Sequence, residues 1–167
     1  MTIARKTPPP RKRSKPRKWK SPRCDKRGCH RPMTVVTGDV GAPALVNAPI
    51  GLCLTHAKQE ADRLFSLAIR SIGRCARGDK TEGLQCSHFI SRRYLGTRWT
   101  RLNAECLCLG CHKFLTERPI EARDRAREVL GATVYEELEQ QARRFVGPVD
   151  YAGVLAKYPP VTKEVSA

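Results

Sequence analysis

The stretch CLCLGCHKF, Cys106 to Phe114, sets three cysteines and a histidine within seven positions. Cys106, Cys108, Cys111 and His112 can grip one metal ion together, or they can divide structure and chemistry between them. The overlapping run ECLCL (Glu105–Leu109) reads as a strand, and the residues after Cys111 leave room for a short helix. Upstream, LQCSHFI (Leu84–Ile90) carries β-compatible Leu84, Phe89 and Ile90 and reads as the antiparallel partner. Two strands and a helix in under fifty residues bury little apolar surface, so such a unit needs a metal staple.

Within this unit His88, Asn103 and His112 follow one another at intervals of fifteen and nine residues. With the flanking C-x-x-C-H of Cys108–His112, this pattern resembles the HNH endonucleases, of phage or bacterial type. A looser likeness extends to the phage recombination proteins called NinG, which also join a basic, Cys-rich N-terminal part and a helix to an HNH-like unit. The resemblance implies a small α+β fold: a zinc-stapled ββα-metal core with flanking α-helices and a disordered basic N-terminal arm. It also implies a metal-dependent endonuclease hydrolysing DNA phosphodiester bonds. In that scheme His88 is the general base, a role suited to an imidazole that titrates near neutrality. Asn103 orients the loop and His88, and His112 helps to hold a catalytic Mg²⁺ or similar divalent cation.

The same resemblance implies a structural zinc on Cys75, Cys108 and Cys111. Family members usually begin this site with Cys-x-x-Cys, but here CARG places Gly78 where the second thiol belongs. Cys86, Cys106 or a water are the candidates for the fourth position. A second departure is Ser87, where many members carry an Asp or His that binds the catalytic metal; Glu105 or Glu117 are possible substitutes. The alternative reading is a non-catalytic, zinc-stapled nucleic-acid binder, a degenerate form of the same unit.

Between the strands, SRRYLGTRWTR offers Arg92, Arg93, Arg98 and Arg101 to backbone phosphates of duplex or branched DNA. Tyr94 and Trp99 in this loop are expected to pack against the hairpin more than to stack on bases.

Further out, Cys24, Cys29, Cys53 and His56 form a candidate Cys3His zinc site, with His30 as a rival ligand. Two structural zincs are therefore expected. The following HAKQEADRLFSLAIRSIG reads as a helix with Ala61, Leu64, Phe65, Ala68 and Ile72 on one face and Gly73 as its stop. Pro119 suits the first turn of a helix ending at Gly131. Thr133 with Glu136 reads as a capping box for the next helix. Asp150 caps a last short helix stopped by Pro159 and Pro160. The chain thus divides into a basic arm (1–22), a Cys/His module with its helix (23–73), the nuclease-like core (74–118) and a helical C-terminal region (119–167).

The 167 residues carry a formal net charge of +16, which favours polyanionic partners. The first 23 residues contain ten Lys or Arg and no acid. This segment has almost nothing to bury and suits a disordered, phosphate-binding arm. No apolar run spans a membrane and no signal peptide opens the chain. The expected location is the cytoplasm, that of the bacterial host if the protein is phage-encoded. There eight reduced cysteines point to metal ligands.

Overall fold

The structure, a computed structural model, describes residues 26–30 and 52–159. The basic arm, Cys24 and the Gly- and Pro-containing stretch 31–51 lie outside the described residues. Among the described residues the chain forms five α-helices and one two-stranded antiparallel sheet, a small α+β arrangement.

Helix α1 (Leu54–Arg70) buries Ala57, Ala61, Leu64, Phe65 and Ile69, spaced as one stripe of a 3.6-residue period. It ends earlier than the sequence pattern predicts. Arg70 is its last residue, and Gly73 turns the chain at φ 78°. Ile69 therefore takes the core position, and Ile72 is left 46% exposed. Strands β1 (Leu84–His88) and β2 (Ala104–Cys108) pair with Cys86 opposite Cys106 and His88 opposite Ala104. Side chains alternate across a strand, so Leu84, Cys86, His88, Ala104 and Cys106 share a face. Ala104 and Cys106 on that face meet the α1 stripe, together with Trp99, Leu155 and Tyr158. Gln85, Ser87, Glu105 and Leu107 share the other face, and Leu107 packs with Leu115 of α2 (Leu109–Glu117).

Helices α3 (Pro119–Leu130) and α4 (Ala132–Arg144) form a hairpin about Gly131 at φ 81°, a conformation that favours glycine. The predicted capping box does not form. Gly131 occupies the N-cap of α4, which puts Thr133 inside the first turn with no side-chain cap. Pro119 does start α3, and Asp150 does cap α5 (Tyr151–Lys157), accepting from the Gly153 N–H at 3.0 Å. The hairpin buries Ala126, Tyr135, Leu138 and Ala142 around Ile90.

The segment from Ser91 to Thr100 is held at three places. Asn103, fully buried, donates from Nδ2 to the carbonyls of Ile90 (3.1 Å) and Thr97 (3.0 Å), and its Oδ1 accepts from Ile90 N–H (2.7 Å). Asp62 of α1 accepts from Arg98 at 2.7 and 2.6 Å and from the Trp99 indole at 3.0 Å. The third place is Gly96, whose carbonyl accepts from Gln141 at 3.2 Å; a methyl at Gly96 would come within 2.5 Å of Phe145 Cβ. As expected, Trp99 packs inside, 6% exposed, edge-on to Tyr151.

Asp62→Ala removes three hydrogen bonds and strips a half-buried guanidinium of its counter-charge. The expected loss is about 2–3 kcal/mol of stability, read in denaturant melts; Asp62→Asn, which keeps one acceptor oxygen, should lose less.

Candidate functional site

Two groups of metal-competent side chains stand out among the described residues. In the first, ligand atoms of Cys29, Cys53 and His56 lie within 4.8 Å of one another. Cys29 Sγ and Cys53 Sγ are 3.9 Å apart, and Cys53 Sγ is 3.4 Å from His56 Nδ1. Ligands of one tetrahedral zinc, at about 2.3 Å for sulfur and 2.0 Å for nitrogen, stand roughly 3.5–3.8 Å apart, so the spacing suits one ion. Cys24, expected as the fourth ligand, lies outside the described residues. The rival His30 is exposed beside Cys29 and does not join the group.

The second group is Cys75, Cys108 and Cys111, again within 4.8 Å. Cys108 is the N-cap of α2. Its thiol is drawn down to about 7, first by the Cys111 N–H, with help from the Cys111 and Cys75 thiols and the Gly110 N–H. Cys111 goes the other way, up to about 11, through burial and the protons it shares with its neighbours. Three soft sulfurs at this spacing fit a borderline-soft ion such as Zn²⁺. Each group places one thiol at a helix N-cap (Cys53, Cys108) and the next ligand three residues on (His56, Cys111).

Cys86 does not complete the second group, and neither does Cys106. They face one another across the strands on the α1 side, where Cys106 is wholly buried. Burial pushes the Cys86 thiol up to about 12, which keeps it protonated and poor as ligand or nucleophile.

His88 and His112 meet in a cleft of about 650 Å³ along the edge of β1 that faces away from β2. α1 contributes Ser66 and Arg70, and α2 contributes His112 and Thr116. The Nε2 of His88 donates to the carbonyl of Arg98 at 3.0 Å. A carbonyl only accepts, so this bond puts the proton on Nε2 and the lone pair on Nδ1, where it accepts weakly from the Cys86 thiol at 3.9 Å. His112 Nδ1 donates to Gln85 Oε1, which leaves the Nε2 lone pair. Burial lowers the pKa of both rings; the Arg92 charge lowers both further, and for His88 the bond to Arg98 partly opposes the shift. Both are therefore neutral at pH 7.

Asn103 does not reach the cleft and acts through the loop it holds. Ser87 is buried on the face opposite His88. Glu105, on that same far face, is ion-paired with Arg125 of α3 at 3.3 Å. Among the described residues no carboxylate lines the cleft. Among the loop arginines, Arg92 lines the cleft and Arg101 is exposed. Arg93 leans over the Tyr94 ring and donates to its hydroxyl at 2.8 Å. Arg98 differs from the expectation: its guanidinium is bound by Asp62 and by the Arg92 carbonyl, with a side chain 12% exposed. Its work is structural. Gln85, Asp62, Ser66 and Arg70 were not singled out from sequence, since only the packing of α1 and α2 beside β1 brings them here.

Comparison with protein-family models, curated proteins and solved structures found no match. No helix among the described residues is long and apolar enough to cross a membrane.

Purified protein should carry two zinc ions per chain by elemental analysis. Cys108→Ser and Cys53→Ser should each lose one, and Cys86→Ser should keep both. A second expectation concerns pH. The folded pKa of His88 lies below its ordinary 6.5, so its contribution is complete above that value. It is lost as pH falls below 6.5, because the unfolded chain then binds a proton that the native chain does not. Melting temperatures from pH 7.5 to 5 should fall less steeply for His88→Gln than for the unmodified protein.

Proposed function

We propose that this protein is an HNH-type endonuclease that hydrolyses DNA phosphodiester bonds with the aid of a divalent cation, around a ββα-metal core formed by β1, β2 and α2. The observation that carries the reading is His88. It is a neutral imidazole with its proton fixed on Nε2 by Arg98 and its lone pair on Nδ1, in a basic cleft shared with a second neutral imidazole. His88 Nδ1, once the attacking water replaces the long 3.9 Å contact from the Cys86 thiol, takes that water's proton. The new P–O bond forms as the bond to the 3′-oxygen breaks, and the departing 3′-alkoxide takes a proton from solvent water while His88 later returns its own to solvent, leaving 5′-phosphate and 3′-hydroxyl ends.

His112 Nε2 would help to hold a divalent cation, which would supply charge neutralisation at the phosphate. No carboxylate is among the described residues lining the cleft, so His112 is the side chain there best suited to that role. Gln85 fixes the ring of His112 through Nδ1, a common way to aim a metal-binding imidazole. Arg92 and Arg101 bind backbone phosphates, and the basic arm adds non-specific affinity. The two thiol groups hold structural zinc.

The lack of a carboxylate and the turned-away Ser87 favour a second reading, a zinc-stapled nucleic-acid binder without turnover. A supercoiled plasmid assay with and without added Mg²⁺ or Mn²⁺ separates the two. The nuclease nicks only with the added ion, and His88→Ala slows it by about 10²–10⁴-fold. Metal-dependent nicking that survives His88→Ala removes this residue as the base. Salt-sensitive binding with no nicking under either ion establishes the binder.

A further inference from the structure

The cleft has a wall that lies outside the strand–strand–helix unit. Arg70, in the last turn of α1, lines it, as does Arg92 at the start of the loop. Cys86 and His88 of β1 and His112 of α2 line the same cleft. The two arginines thus border one volume of about 650 Å³.

Neither makes an ion pair among the described residues. Arg70 Nε donates to the Ser66 carbonyl at 3.3 Å, which steadies the side chain and uses one of its five N–H donors. By contrast, Arg63 on the same helix is fully engaged with Glu60 at 2.6 and 3.0 Å. Among the described residues, the cleft is lined by two guanidiniums without an ion pair, two imidazoles and no carboxylate, and so lacks a counter-charge. It favours an anion with oxygens on more than one side, since planar guanidinium forks match phosphate oxygens.

We propose that Arg70 of α1 and Arg92 of the loop form a two-sided clamp for a backbone phosphate of duplex DNA, so that α1 is a substrate-binding element as well as a core helix. This rests on reading the cleft as a nucleic-acid site, but not on hydrolysis. Arg70 supplies the second positive wall that the loop alone lacks, and places the phosphate over β1 between His88 and His112.

The test is equilibrium binding of a fluorescein-labelled DNA duplex by His88→Ala protein, which keeps the probe uncut, across a salt series. Adding Arg70→Ala should weaken binding about tenfold and reduce the slope of log affinity against log salt by about 1. Arg92→Ala should do the same. Arg70→Lys should keep the slope and recover part of the affinity. Arg63→Ala removes an equal charge from α1 outside the cleft and should change neither quantity appreciably. Zinc content and melting temperature verify that each variant is folded. Equal effects of Arg70→Ala and Arg63→Ala, or no effect of Arg70→Ala, overturn the clamp. A clamp that passes in a protein that never nicks plasmid defeats the hydrolase reading alone; nicking with an indifferent Arg70 defeats the clamp alone.

Discussion

The buried amide of Asn103 is the interaction on which the cleft depends. Its oxygen and nitrogen together bind both backbone groups of Ile90 and the carbonyl of Thr97, so a ten-residue basic loop returns to the sheet in one conformation. A buried backbone group left without a partner costs about 1–3 kcal/mol, which makes any other course for the loop expensive. The bond from His88 to the Arg98 carbonyl follows from this. That carbonyl sits one residue beyond Thr97, and Asp62 fixes the same residue from the α1 side. The protonation pattern of His88 is thus decided by groups that never touch a ligand.

The rest of the site is a balance of charge and burial. Burial first, and then the Arg92 charge, lowers the pKa of both rings, while the Arg98 carbonyl and Asp62 pull His88 the other way; no acid is among the described residues lining the cleft. The acids near the sheet are spent elsewhere. Asp62 ties the loop to α1, and Glu105 ties α3 to the far face through Arg125. The cleft therefore presents positive charge outward while its titratable floor stays uncharged. That arrangement suits an anionic substrate better than a free cation.

Much of this was legible in the sequence, and the parts that were not share a cause. Helical spacing of apolar residues marked α1 and β-compatible residues marked the strands, tight Cys and His spacing marked the first thiol group, and the family resemblance pointed to Cys75, Cys108 and Cys111. Local chemistry also fixed Pro119, Gly131 and Asp150 at helix ends. What failed depended on a distant partner. Thr133 lost its cap because Gly131 already served as the boundary. Ile72 lost its place because the helix closed two residues early and Ile69 filled the core. Arg98 looked like its neighbours until Asp62, 36 residues earlier, claimed it. Cys86 looked like a ligand until strand alternation turned it toward α1. Arg70 could not be found at all, because its relation to His88 exists only once α1 lies beside β1.

The placement of the first thiol group at the start of α1 has a mechanical consequence. His56 and Arg70 lie fourteen residues apart on one continuous helix, about 21 Å at 1.5 Å per residue. Between them Ala61, Leu64, Phe65 and Ile69 are buried in the core, so the helix joins the Cys29–Cys53–His56 cluster to the cleft-lining Arg70 as one held strut. Over that length a tilt of about five degrees displaces one end by roughly 2 Å, more than the ~1 Å that separates a productive contact from a poor one. His112, one residue from Cys111, has no such arm. The first cluster is thus linked to the cleft through the length of a helix, and the second through a single peptide bond.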